Sequence, residues 1–282
     1  MFEPDLLKDR SILITGGGTG LGRAMALRAA VLGAGVFLVG RREAPLEDTA
    51  KAIVERGGRA GWATADVRDF GAVERAVDRA WKELGSLDSL INNAAGNFLA
   101  RTERLSPNAF AAVVGIVLEG SFHSTLAVAR RWIEAERPGC VLNIVATYAA
   151  SGSPYVVPSA SAKAGVLAMT KSLAVEWARY HIRLNAIAPG PFPTEGAWSR
   201  LIPTPEAERA WLEEHPMRRF GRHSELADLA AYLLSAPAEY INGACVTIDG
   251  GASACAQGGF THLVDAPAEF WEAVERERRR TP

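Results

Sequence analysis

The chain has 282 residues, 48% of them hydrophobic, with 31 basic and 32 acidic side chains and a formal net charge of −1. That length and apolar share suffice for one large α/β domain with a sizeable core, and the balanced charge removes the electrostatic case for a nucleic-acid partner. Cys140, Cys245 and Cys255 have no Cys-x-x-Cys spacing, and the five histidines form no His-x-x-x-His pair, so reduced thiols and no metal site are expected.

The N-terminus, Met1-Phe2-Glu3-Pro4-Asp5, carries two acids and no apolar core, which argues against a signal or transit peptide. No apolar run is expected to reach transmembrane length, and the reading is a cytoplasmic globule with no membrane partner.

In chain order, short apolar runs alternate with helical patterns. Residues 11–15 read as a strand that runs into Gly16-Gly17-Gly18-Thr19-Gly20-Leu21-Gly22, and a helix is expected over 20–32. The strict Gly-x-Gly-x-x-Gly template fails at Leu21, whereas Thr-Gly-x-x-x-Gly-x-Gly fits. Either form serves one need: backbone must approach a pyrophosphate at a helix N-terminus, where free N–H groups and the helix dipole meet it. The second strand, 36–39, ends in Gly40-Arg41-Arg42 with no carboxylate before Glu43. An acid there would bond ribose hydroxyls and repel a 2′-phosphate, while a guanidinium forks onto it. The expected cofactor is therefore NADPH.

Further strands are expected at 61–65, 87–92, 140–146, 182–188 and 244–248, with helices at 45–55, 70–84, 107–134 and 158–180. Pro45, Pro107 and Pro158 suit first turns, where a missing N–H costs nothing. A proline-rich stretch from Pro189 to about Pro205 opens a substrate loop at about 189–222. After Asp249-Gly250-Gly251 a C-terminal extension at about 252–282 carries a helix near 267–279. This βαβα order predicts a single domain, a Rossmann-type doubly wound parallel sheet of about seven strands.

On the glycine turn, on Asn92-Asn93-Ala94-Ala95-Gly96 and on Lys163, the chain resembles the short-chain dehydrogenase/reductase family. The resemblance implies that Asp66 lies beside the adenine, and that Val67, Asn93, Ala94, Pro189, Gly190 and Phe192 complete the cofactor set. That family usually carries an Asn-Ser-Tyr-Lys tetrad. Counting from Lys163, the tyrosine position holds Ser159, the serine position Ala146 and the asparagine position Val117. Only the lysine remains. A serine hydroxyl is too short and too weakly acidic to replace a phenol, so the chain either binds nucleotide without turnover or has moved its donor. Tyr148, just past the fifth strand at the carboxyl edge of the sheet, is the candidate; Tyr155 is a rival that could equally pack on its loop.

Asn93-Ala94-Ala95-Gly96-Asn97-Phe98, Thr102 to Asn108, Val156 to Gly165, Pro189-Gly190-Pro191 and Ser199-Arg200-Leu201 resemble 2,4-dienoyl-CoA reductases of the mitochondrial type, over nearly the whole chain. This implies that Tyr148 is the catalytic tyrosine, Asn97 its partner on the thioester oxygen, and Lys163 the lysine on the nicotinamide ribose, with Ser159 in their network. It also implies acyl-CoA contacts from Phe98, Ser106 and Arg200, a place for Arg41 near the nucleotide phosphates, and a homotetramer. Ser106 before Pro107 is equally an ordinary N-cap, and Arg200 could be solvated. The alternatives are a 2-enoyl-thioester reductase or other short-chain oxidoreductase, and a non-catalytic NADPH-binding scaffold.

Chemistry explains why the phenol should move. In a ketone the hydride and proton go to bonded atoms. In a 2,4-dienoyl thioester the hydride adds at C5, and negative charge travels through the conjugated chain to the thioester oxygen. Hydrogen-bond donors must be aimed where that charge develops, far from the nicotinamide.

Overall fold

A computed structural model describes residues 2–194, 202 and 204–280. Seven parallel strands form one sheet in the order β3-β2-β1-β4-β5-β6-β7. They are β1 Ser11–Thr15, β2 Gly35–Gly40, β3 Arg59–Thr64, β4 Ser89–Asn92, β5 Gly139–Ile144, β6 Ile182–Pro189 and β7 Cys245–Ile248. The order reverses between β1 and β4, which run side by side with Leu13 opposite Leu90. That switch point opens a crevice at the carboxyl ends of the strands.

Helices cover both faces because the central strands are apolar on both sides: β1 is buried at all five positions. One face packs under α1 (Gly20–Val31) and the helix His223–Leu234, through Met25, Ala26, Leu226 and Ala230. The other packs under α3 (Phe70–Leu84) and α5 (Gly120–Glu134), through Val73, Val77, Val128 and Trp132. The helix His223–Leu234 was not among the expected elements, although Leu226, Ala230, Leu233 and Leu234 follow a helical period.

The single helix expected over 107–134 contains a change of winding. It runs as α4 (Pro107–Val114), a π turn at Gly115–Glu119, then α5. The N–H of Gly120 reaches the carbonyl of Gly115, five residues back, so one extra residue is accommodated in the turn. This helix also corrects an expectation: Pro107–Glu134 is long and apolar enough, by length and composition alone, to cross a membrane. Half of that apolar window is buried inside the fold.

A buried polar chain fixes the site's scaffold. The Asn92 amide on β4 donates to Thr125 on α5 and to Asn143 on β5, each at 2.8 Å. Asn143 in turn donates to Thr170 at 2.8 Å, on α7 (Val157–Glu176). All four residues lie in the core, where breaking one of these bonds would be costly, so β4, β5, α5 and α7 are tied together.

Candidate active site

At the β1–α1 turn Gly16, Gly18 and Thr19 line a cleft of about 160 Å³. Thr19 is the N-cap of α1, its side chain caps nothing, and the first turn has no acid. The free N–H groups and positive dipole end are therefore available to an anion. Gly20, Leu21 and Gly22 form that first turn. A Cβ at Gly22 would collide with the carbonyl oxygen of Gly16, which is why the turn can close so tightly only with glycine. Arg41, Arg42, Ala65, Asp66, Val67 and Ala94 line the same cleft.

Two expected cofactor residues have other partners. Asn93 donates through its side-chain amide to the carbonyls of Thr15 and Gly16, at 3.1 and 3.2 Å, and so latches the β4 loop behind the glycine turn. Asp66 is gripped by Arg68, whose guanidinium donates to both carboxylate oxygens at 2.6 to 3.1 Å. The side-chain bond from Arg68 outweighs burial and lowers the Asp66 pKa. Arg68 carried no signal in the sequence; nor did Ile116, which reaches the cleft wall from the π turn.

Past β5, Thr147 turns the chain into a short helix, α6 (Tyr148–Ser151), and Tyr148 leads it. Its phenol lies 3.0 Å from the Ser159 hydroxyl on α7. The Asn97 amide, on the loop after β4, donates to the phenol oxygen at 3.3 Å. Asn97 is itself oriented, because its carbonyl oxygen accepts from the Phe98 N–H at 2.9 Å. Three residues from three segments thus converge. Burial pushes the Tyr148 phenol pKa up, and the Ser159 bond draws it part of the way back. The phenol therefore keeps its proton at neutral pH.

Lys163 is buried on α7, one turn beyond Ser159, and its ammonium donates to the carbonyl of Ile144 at the end of β5. Burial lowers its pKa to about 8. One of its three N–H donors is committed there, which leaves two for a diol. Phe98 packs beside Val113, Val117 and Val145. Ser106 caps α4, its hydroxyl accepting from Ala109 N–H at 3.2 Å. Pro189 ends β6, the N–H of Gly190 bonds to the carbonyl of Ile248 at 2.9 Å, and Phe192 is buried against the core. Arg200 lies outside the described residues.

With this geometry in place, similarity to known proteins becomes interpretable. A family described as Enoyl-(Acyl carrier protein) reductase matches residues 16–253. A Bacillus subtilis (strain 168) protein named probable 2,4-dienoyl-CoA reductase [(2E)-enoyl-CoA-producing] is 46% identical over 87% of this chain and 97% of its own. The chain belongs to the short-chain dehydrogenase/reductase family. A Caenorhabditis elegans member named probable 2,4-dienoyl-CoA reductase 3 [(3E)-enoyl-CoA-producing] is 42% identical over 95% of this chain and 89% of its own. The crystal structure of a short chain dehydrogenase from Bacillus anthracis superposes with a TM-score of 0.80, at 41% identity, over 93% of this chain and all of that one. This short-chain reductase is therefore an oxidoreductase whose fold binds a nicotinamide cofactor.

Proposed function

We propose that this protein is an NADPH-dependent 2,4-dienoyl-CoA reductase that forms a 3-enoyl-CoA and serves the β-oxidation of unsaturated fatty acids. The observation that carries this reading is the Asn97–Tyr148–Ser159 cluster, which sets a protonated phenol and an amide side by side. A second support is the relatives' names.

The cleft suits NADPH. Arg41 and Arg42 border it, and its lining acid, Asp66, is already paired with Arg68. When bound, the reduced nicotinamide supplies the hydride for C5 of the diene. Lys163 has two donors left for the ribose hydroxyls. Tyr148 donates to the thioester oxygen, the Ser159 hydroxyl turns to support the phenol oxygen, and the Asn97 amide swings its N–H from the phenol to the same thioester oxygen. Removing one such donor commonly costs on the order of 3 kcal/mol. Negative charge on the resulting dienolate is thereby held at the oxygen, while C2 takes a proton to leave the double bond between C3 and C4. Protonation at C4 would instead leave it between C2 and C3, the outcome in the Bacillus subtilis relative's name.

The test is product analysis after reduction of a 2,4-dienoyl-CoA with stereospecifically deuterated NADPH. A new C–D bond at C5 in a 3-enoyl product is expected. Deuterium at C3, with preference for a 2-enoyl-CoA substrate, would establish an enoyl-thioester reductase instead. Tight NADPH binding without consumption by either acyl-CoA would leave a nucleotide-binding scaffold.

A further inference from the structure

Tyr155 occupies a conformation that its own side chain opposes. It has φ of 63°, in the left-handed region, where a Cβ crowds the following carbonyl and glycine is the ordinary occupant. Packing does not explain why a tyrosine stands there, because the residue is 58% exposed. The turn is held from outside: the Tyr155 carbonyl accepts from the N–H of Ala100 at 2.9 Å. That bond joins the loop after β5 to the loop after β4. Asn97 lies three residues before one end of it, and Ser159 lies four residues after the other. Leu99, next to Ala100, is 47% exposed. A strained, exposed aromatic and an exposed leucine therefore stand on the joined loops that carry Asn97 and lead into Ser159. Strain of this kind persists where the surroundings impose it, and it collects at ligand-binding positions.

We propose that Tyr155 is a substrate-positioning residue whose ring seats the pantetheine arm of the acyl-CoA as it leaves the thioester site. The inference rests on the dienoyl-CoA reading. With the thioester oxygen at Asn97 and Tyr148, the acyl chain runs inward to the nicotinamide and the sulfur must lead outward past the rim. The arm is a chain of methylenes and amides. An aromatic face covers methylenes, and a phenol tip can bond an amide. Tyr155 and Leu99 are both exposed on the two loops that the Ala100–Tyr155 bond joins, and together they would give that exit its apolar surface.

The experiment compares wild type, Tyr155→Gly and Tyr155→Phe on one 2,4-dienoyl acyl group carried either by CoA or by N-acetylcysteamine, which lacks most of the arm. Glycine accepts the turn without strain, so Tyr155→Gly should melt at the wild-type temperature or above. On the CoA thioester its kcat/KM should fall about tenfold, mostly through KM, the scale of one lost aromatic contact. On the truncated thioester it should match wild type, and Tyr155→Phe should keep most activity on both. Equal losses on the two thioesters, or no loss on either, would overturn the proposal. A wild-type protein that reduces neither thioester would overturn the parent reading, and this one with it.

Discussion

Lys163 and Tyr148 divide the site's electrostatics between them. Lys163 is an ammonium held against burial, and a pKa of about 8 in place of the ordinary 10.5 corresponds to roughly 3 kcal/mol set against its charged form. Above pH 8 the proton leaves, so cofactor binding and turnover should decline there, well below where a solvated lysine titrates. A flat profile to pH 10 would remove the ammonium from the mechanism. For stability the sign is opposite. Between about pH 8 and 10.5 the unfolded chain binds the proton that the folded chain has lost, so this residue's contribution improves as pH rises through that window. Lys163→Met should therefore raise the free energy of unfolding at pH 7 by on the order of 1–2 kcal/mol, after the loss of its bond to Ile144. The advantage should shrink by pH 10, while NADPH affinity falls at every pH. Tyr148→Phe should cost about a hundredfold in kcat with little change in melting, since the ring stays and only the bonds to Ser159 and Asn97 go. Equal turnover in that variant would sink the oxyanion role. Tyr148 stood out as a candidate because a missing tyrosine at Ser159 is a visible defect in a known pattern. The Arg68 grip on Asp66 was not, because a basic residue two positions from an acid has no fixed geometry until the turn is folded.

The elements divide in the same way. Strand β1 and helix α3 lie where their patterns put them, Ser11–Thr15 and Phe70–Leu84, because apolar runs and an Asp69 N-cap are local signals. The π turn escaped notice because Gly115–Glu119 reads as unbroken helix, and one extra residue leaves no mark in the apolar period. Just past it, a Cβ at Gly120 would strike the Val67 side chain, so the helix can approach the β3 loop that closely only at glycine. The β1–α1 turn shows the same constraint where it matters for binding. Gly22→Ala would drive a methyl into the Gly16 carbonyl and the Asn93 amide, forcing open both the cleft and the latch behind it. Expected is a loss of about 1–3 kcal/mol in stability with most of the NADPH-induced thermal shift abolished. A variant that folds and responds to NADPH like wild type would show that the turn tolerates what its geometry forbids.

At the scale of the molecule, the long helix poses the remaining question. Pro107–Glu134 buries only half of its apolar window, and Phe110 and Phe122 stand 41% and 44% exposed. A bilayer is a poor explanation for the other half. Thr125 and Trp132 are fixed in the core by bonds from Asn92 and to the Leu87 carbonyl, so the helix cannot withdraw to span lipid without unpairing them. Other copies of this chain explain it better, because exposed aromatics along one helix bury well against a symmetry mate. We propose a homotetramer. Sedimentation without detergent should give a particle about four times the 30.1 kDa chain, and Phe122→Glu, which places a charge on that exposed helix face, should shift it to smaller species with the fold retained. A 30.1 kDa particle would contradict the assembly, and wild-type protein that stays dispersed only in detergent would return the apolar helix face to the membrane.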